Sequence, residues 1–98
     1  MGKPAARLTD MQSGHSCYGP SDCNNAGSTS VHINKKLAMV VGATFTSHCC
    51  PKGGCHPPVL SSGSSTVIIN GRPAGRLSDP CACGSNVITA SSNVIIGG

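Results

Sequence analysis

Residues 4–10 read Pro-Ala-Ala-Arg-Leu-Thr-Asp, and residues 73–79 repeat this phrase as Pro-Ala-Gly-Arg-Leu-Ser-Asp. The second copy follows a lead-in, Ser-Ser-Thr-Val-Ile-Ile-Asn-Gly-Arg, at residues 64–72. The first copy stands at the start of the sequence, and a similar lead-in, Ser-Ser-Asn-Val-Ile-Ile-Gly-Gly, closes it at residues 91–98. The sequence therefore predicts one repeat that is completed when the N- and C-terminal segments pair.

A third, weaker copy lies between these two. Its lead-in is Ser-Thr-Ser-Val-His-Ile-Asn at residues 28–34, and its phrase is Lys-Lys-Leu-Ala-Met-Val-Val-Gly at residues 35–42. Three similar hairpins, one of them split between the ends, predict a closed ring with pseudo-threefold symmetry. Asn70-Gly71 predicts a type I′ turn, because that turn needs positive φ at both central residues. The counterpart Asn34-Lys35 lacks the glycine, so a different turn is expected there.

Short runs rich in β-branched residues predict an all-β fold, since Ser, Gly, Asn and Pro separate them and no helical period is sustained. The predicted strands cover residues 31–33, 37–41, 66–69, 86–89 and 93–96. Two segments interrupt the repeats, residues 12–27 and 47–58, and both are predicted to be loops held together by something that they bind.

The 98 residues predict a single domain, residues 1–98, with no appended effector domain. Tyr18 and Phe45 are the only aromatic residues, and so small a core normally needs a disulfide or a metal to stabilise it. The net charge of +4 comes without a basic run beyond Lys35-Lys36, so nucleic acid is not an expected partner. The sequence opens without a signal peptide, which predicts synthesis and folding in the cytoplasm.

Histidine and cysteine side chains predict a metal site. The chain holds seven cysteines, an odd number, and cytosolic thiols stay reduced, so a pure disulfide scaffold is the weaker interpretation. Imidazole and thiolate ligands suit zinc. His32 occupies a strand position where the other repeats have Ile68 and Ile95, which indicates a packing or surface role.

The remaining histidines, His15, His48 and His56, lie in the interrupting segments. Spacing alone does not choose between Cys81 and Cys83 as a thiolate ligand, because both would point to the same side of an extended segment. Cys17 or Cys55 in place of a histidine is an alternative. Further cysteines admit disulfides or a second metal site: Cys17, Cys23, Cys49, Cys50, Cys55 and Cys81.

The repeated phrase, its displaced first half and the His/Cys pattern resemble the PAAR-repeat proteins, from Pro4 to Gly98. The resemblance implies a small conical fold with one structural zinc ion near the apex, bound by three histidines and one cysteine. Carried over to this sequence, the metal ligands are His15, His48, His56 and Cys83. Zinc with four protein ligands has no open position, so the resemblance implies no catalytic residues and no enzyme.

Members of that family cap the trimeric β-helical spike of contractile injection machines. The resemblance implies a tip protein that sharpens a VgrG-like spike of a type VI secretion system, one chain per trimer, and aids membrane piercing. It would be monomeric when free, contact the target membrane transiently, carry effector cargo and leave the cell with the apparatus. The equivalent tip of a phage tail is the alternative. A soluble zinc-binding or redox protein is less favoured, since no Cys-x-x-Cys occurs.

Overall fold

Strands alone make up the regular structure of this protein in a computed structural model that describes residues 2–98. The nine strands are β1 Lys3–Pro4, β2 Met11–Gln12, β3 Ser21–Ile33, β4 Lys36–Phe45, β5 His48–Cys50, β6 Gly54–His56, β7 Ile68–Ile69, β8 Arg72–Pro73 and β9 Ile95–Ile96. They pair antiparallel in four small sheets, β1-β9, β2-β3-β4, β5-β6 and β7-β8. The predicted all-β class is confirmed. The described part of the chain contains no helix that could cross a lipid bilayer.

Each predicted repeat forms a hairpin with the same register. Ile69 lies opposite Arg72 across β7 and β8, and Ile33 lies opposite Lys36 across the ends of β3 and β4. The third hairpin joins the two ends of the chain, because Lys3 in β1 pairs with Ile96 in β9. The predicted closure by the N- and C-terminal segments is confirmed.

A ring of three backbone hydrogen bonds joins the repeats at the third residue of each phrase, where the central phrase is counted from Leu37, the residue that aligns with Pro4 and Pro73. The amide of Ala6 donates to the carbonyl of Gly75 (3.0 Å), Gly75 donates to Met39 (2.7 Å), and Met39 donates to Ala6 (3.0 Å). Three isolated bridges of identical offset surround this ring, Ala5–Arg76, Arg7–Ala38 and Val40–Ala74. The threefold relation is therefore set by backbone hydrogen bonding, even where the side chains of the three copies differ.

Two apolar clusters flank the ring. The hairpin cluster contains one fully buried alanine from each phrase, Ala5, Ala38 and Ala74, together with Ile33 and Ile96. The second cluster surrounds Phe45 and Leu60 and contacts the partly buried Cys83. Both clusters rely on alanines at positions where strands approach closely, which explains how a nearly aromatic-free chain still has a dry core.

Above the ring, each phrase supports an arm of the chain. The amides of Thr9, Gly42 and Ser78, the sixth residues of the phrases, donate to the carbonyls of Cys23, Leu60 and Val87 at 3.0, 2.9 and 2.8 Å. In return, the amides of the three accepting residues donate to the backbone carbonyls of the seventh residues of the phrases. These bonds run from Cys23 to Asp10, from Leu60 to Ala43 and from Val87 to Asp79. These bonds close the base of three arms, which comprise residues 11–22, 44–59 and 80–86.

A buried ion pair stabilises the phrase in two of the three repeats. Arg76 binds Asp79 through its side chain and its backbone amide, and Arg7 binds Asp10 in the same way. The central repeat has the apolar pair Val40 and Ala43 at these positions, and both side chains are buried. The bent backbone, with positive φ at the sixth residue, thus forms with either kind of side-chain contact.

Three details of the sequence prediction are corrected. Asn34 and Lys35 have φ of 53° and 68°, so this hairpin uses the same positive-φ turn as Asn70-Gly71 and not a different one. Parts of both predicted loops are strands, since β3 begins at Ser21 and β5 and β6 form a hairpin between His48 and His56. Residues 86–89, predicted as a strand, form only isolated bridges at 86 and 87, because this arm is too short to build a ladder.

The turn at Lys35 generates a stability prediction. A residue with a Cβ at φ of 68° is strained by about 1–2 kcal/mol, whereas glycine is not, and glycine loses part of that gain to backbone entropy. Lys35→Gly should therefore stabilise the protein by roughly 0.5–1 kcal/mol in urea unfolding. Gly71→Ala is the matched control and should destabilise the protein. An added Cβ there meets no other atom, so the only cost is the strain of a Cβ at φ of 82°. Equal stability of Lys35→Gly and wild type would contradict this account of the turn.

Candidate metal centre

The three arms bring together all four residues that the sequence analysis singled out as metal ligands. Arm 11–22 contributes His15, arm 44–59 contributes His48 and His56, and arm 80–86 contributes Cys83. Their ligand atoms all lie within 4.8 Å of one another. Because each arm is anchored to one repeat of the ring, the cluster forms where the three arms converge.

Local structure positions each histidine differently. His48 and His56 lie directly opposite each other across β5 and β6, so their side chains share one face of this hairpin. His15 belongs to a tight turn in which the backbones of His15 and Tyr18 exchange two hydrogen bonds of 2.9 and 2.8 Å. Cys83 occupies a turn closed by the amide of Gly84 donating to Cys81.

The ring nitrogens of the histidines face one another. His56 Nε2 lies 2.8 Å from His48 Nε2 and 3.2 Å from His15 Nε2. His48 Nδ1 lies 2.7 Å from the carbonyl oxygen of Gly19, which can only accept, so Nδ1 carries the proton. The Nε2 atom of neutral His48 therefore directs its lone pair into the cluster.

Burial and like charges favour the neutral form of His56. Loss of solvent lowers the pKa of its imidazole, and proximity to His48 and then to His15 lowers it further. The His56 ring nitrogen that faces His48 and His15 is therefore favoured without an added proton. A neutral imidazole is the state of His56 that metal ligation requires.

Gln12 holds the segments that carry the histidines, a role that was not predicted from the sequence. Its side chain is completely buried, its Nε2 donates to Ser21 Oγ (2.9 Å) and to the Gly19 carbonyl (3.2 Å), and its Oε1 accepts from the amide of Gly14 (2.6 Å). Gly19 is also the residue that binds His48. Gln12 thus fixes both sides of the His15 turn, a role that a lone polar residue in the sequence does not reveal.

Tyr18 was also missed, and it packs on all three imidazoles. Its ring centroid lies 4.8, 4.9 and 4.5 Å from those of His15, His48 and His56. A side chain at Gly53 would collide with the Tyr18 hydroxyl, so this glycine leaves space for the ring. The sequence did contain a signal for this role of Tyr18. It is one of only two aromatic residues, and it lies three positions after His15.

Two disulfides surround the cluster. Cys17 is bonded to Cys50, and Cys49 is bonded to Cys55. Cys17 and Cys55, considered above as replacement ligands, are thus engaged as disulfides. The sequence analysis left disulfides and a second metal site open for these cysteines, and the structure pairs four of them as disulfides.

The remaining thiols divide between core and cluster. Cys23 and Cys81 are buried in the apolar cluster around Phe45, and burial raises the pKa of Cys23 to about 12 and raises that of Cys81 as well. Such thiols remain protonated and serve as core residues. Cys83 is only partly buried and faces the histidines, so it is the thiol whose position suits ligation. His32 lies exposed on β3, outside the cluster, as its repeat position predicted.

These four side chains could hold a metal ion. Three imidazole nitrogens and one thiol sulfur converge from different arms, and one N–H on His56 cannot satisfy the nitrogens of both neighbouring histidines. A cation among them would satisfy all the lone pairs at once. Among residues 2–98 the surface has no enclosed pocket for a small organic substrate.

Comparison with known proteins identifies relatives for most of the chain. A family model described as the PAAR motif matches residues 24–89. The NAD(P)(+) glycohydrolase toxin Tse6 of Pseudomonas aeruginosa (strain PAO1) is 42% identical over 77 residues, which is 74% of this chain and 18% of the toxin. The (p)ppApp synthetase toxin Tas1 of Pseudomonas aeruginosa (strain UCBPP-PA14) gives the same values.

A more distant relative covers the whole chain. Double-stranded DNA deaminase toxin A of Burkholderia cenocepacia (strain H111) is 29% identical over 100 residues, which is 100% of this chain and 6% of the toxin. The chain therefore spans less than a fifth of the length of the curated relatives that it matches.

The positions of the two cysteines in arm 80–86 predict separable effects. Cys83→Ser should lower metal content measured by elemental analysis, because it removes the only thiol that faces the histidines. Cys81→Ser should keep the metal content but destabilise the fold by about 1–3 kcal/mol, because it places a hydroxyl in the apolar cluster. Loss of metal from Cys81→Ser with retention in Cys83→Ser would contradict the ligand assignment.

Proposed function

This chain belongs to the PAAR motif family, and from that premise we propose that it forms the tip of the spike of a bacterial contractile injection machine. The ring of three hairpins supports this role, since it gives a single chain an approximately threefold base. The three converging arms support a narrow opposite end. In this proposal the chain acts mechanically, as a cap that sharpens the spike and aids its passage through a membrane.

The proposed tip contains one structural zinc ion bound by His15, His48, His56 and Cys83. The observation that carries this is the convergence of their four ligand atoms within 4.8 Å. Nitrogen and sulfur ligands in a tetrahedral set suit zinc, and two imidazole nitrogens on one zinc lie about 3.3 Å apart, close to the separations of the histidine nitrogens here. Four protein ligands complete the coordination shell, which supports a structural role rather than catalysis.

The hairpin end of the molecule is the proposed docking face. Strands β7 and β9 each pair on one side only, so their other edges are available to a partner strand. Ile68 and Ile95 are the most exposed large apolar side chains, at 58% and 60%, and they occupy equivalent positions beside these edges. A trimeric β-helical spike is the partner that these features fit, with one chain on each trimer.

The relatives support a further role as a carrier of effector cargo. Their names denote toxins, whereas this chain corresponds to 18% or less of their length. We place the activities given in those names in the parts of the toxins outside this match. A secretion machine that delivers cargo is favoured over a phage tail by the same names, and delivery would carry the tip out of the cell with the spike.

Removal of the metal should destabilise the protein. Structural zinc contributes on the order of 10 kcal/mol in small domains, and loss of even about 3 kcal/mol lowers Tm by roughly 12–24 °C at this size. We expect one zinc per chain by elemental analysis and a lower Tm after treatment with a strong chelator. Readdition of zinc should restore the original Tm. A metal-free protein with an unchanged Tm would refute the structural zinc.

Binding of the spike should require the exposed isoleucines. Light scattering should give a monomer for the free chain and one chain per trimer for its mixture with a cognate trimeric spike protein. Ile68→Lys with Ile95→Lys should weaken this complex at least tenfold without changing the Tm. Ile88→Lys is the matched control, because Ile88 is exposed by 45% but lies outside the hairpins. Three chains per spike, or equal effects of both changes, would refute the docking face.

A further inference from the structure

Every histidine of the metal centre lies beside a disulfide. His15 is two residues from Cys17, His48 directly precedes Cys49, and His56 directly follows Cys55. The disulfides involve four cysteines that the proposed tip function does not use. Their position beside the histidines indicates an effect on the metal centre.

The Cys17–Cys50 bond joins the two arms that carry the histidines. It links positions 33 residues apart in sequence, whereas Cys49–Cys55 stays within the β5–β6 hairpin. Side chains alternate along a strand, so Cys50 lies on the same face of β5 as His48, and Cys49 lies on the opposite face. The Cys17–Cys50 bond is therefore on the metal side of the hairpin and the Cys49–Cys55 bond is on the outer side.

Core packing contributes little to holding these segments in place. No residue between positions 13 and 20, or between 49 and 57, is buried, although the strands around the ring are. The His15 turn is held against the hairpin by the Cys17–Cys50 bond, by Tyr18 and His15 against the imidazoles of the hairpin, and by the hydrogen bond between His48 and Gly19. Without the disulfide, the relative position of His15 and His56 depends on few weak contacts.

We propose that the Cys17–Cys50 disulfide preorganises the metal centre, so that thiol oxidation and metal binding are thermodynamically linked. The proposal rests on the zinc site proposed above. Formation of this disulfide removes two hydrogens from two thiols and reduces a disulfide oxidant, such as oxidised glutathione, to two thiols. With the arms already joined, zinc no longer has to restrict their motion, and its affinity rises.

The linkage must act equally in both directions. If the disulfide raises zinc affinity by a given factor, bound zinc favours the disulfide by the same factor over its reduced form. Cys17 is exposed, so a reductant in solution can reach this bond. The chain would therefore bind zinc less tightly in a reducing compartment and retain it more firmly after oxidation.

Zinc affinity of variants provides the first test, measured by competition with a chromophoric zinc chelator. Cys17→Ser with Cys50→Ser removes the bond without leaving thiols that could themselves bind zinc, and it should weaken zinc binding by about 5- to 150-fold. Cys49→Ser with Cys55→Ser removes the outer disulfide and should weaken zinc binding by a smaller factor. Equal zinc affinity of the wild type and the Cys17/Cys50 variant would overturn the linkage while leaving the zinc site intact. Absence of zinc binding by the wild type would overturn both proposals.

Disulfide reduction provides the second test, which needs no variant to fold. Zinc-loaded and zinc-free wild type are equilibrated in glutathione buffers of increasing reduced-to-oxidised ratio, and free Cys17 is then trapped by alkylation and quantified by mass spectrometry. Zinc should protect Cys17–Cys50 from reduction and protect Cys49–Cys55 less. Identical reduction of Cys17–Cys50 with and without zinc would overturn the proposal.

Discussion

Three backbone hydrogen bonds around one axis, between Ala6, Gly75 and Met39, support the rest of this structure. They are made by the third residue of each phrase, an alanine, a glycine and a methionine. The strands cross there at close range, since a Cβ at Gly75 would lie 2.8 Å from a side-chain carbon of Leu60. A backbone bond of this kind tolerates sequence change, which is why the central repeat keeps its geometry while lacking the Arg-Asp pair of the others. The apolar clusters and the arms on either side of the ring depend on this crossing for their position.

The two ends of the molecule are stabilised in different ways. At the hairpin end, strand pairing and an apolar cluster of alanine and isoleucine suffice. At the arm end, the chain has few apolar residues, and the backbone follows tight turns whose order depends on side-chain contacts between His15, Tyr18 and the β5–β6 hairpin. Disulfides and side-chain contacts replace core volume at this end, so the local fold and the four candidate ligands depend on each other there.

The sequence predicted the architecture well because the structural repeats are also repeats of the amino-acid sequence. The paired termini, the hairpins and the convergence of His15, His48, His56 and Cys83 agree with the structure, while the role of the four as ligands stays a prediction. The arms were only partly foreseen, because arm 80–86 is too short to register as an insertion. Lys35 showed no sign of its positive φ, since the pairing of Ile33 with Lys36, and not the preference of Lys35, fixes that turn.

The disulfide pairing and the role of Gln12 could not be predicted from the order of residues alone. Four cysteines allow three pairings, and only the folded arms distinguish Cys17–Cys50 from the alternatives. Gln12 acts through a fully buried network of bonds to Gly14, Gly19 and Ser21, which no spacing rule anticipates. Both features depend on contacts between segments that become neighbours only after the ring has closed.

The inequality of the three repeats has a consequence for assembly. A partner with true threefold symmetry presents three identical seats, so a chain with two ion-paired repeats and one apolar repeat can dock in three rotational settings of equal energy. This degeneracy favours the complex by about 0.6 kcal/mol, the value of RT ln 3. In the proposed complex with a trimeric spike, the three settings would be equally populated, and a group attached to one flank of the tip would be distributed evenly over the three subunits of the spike.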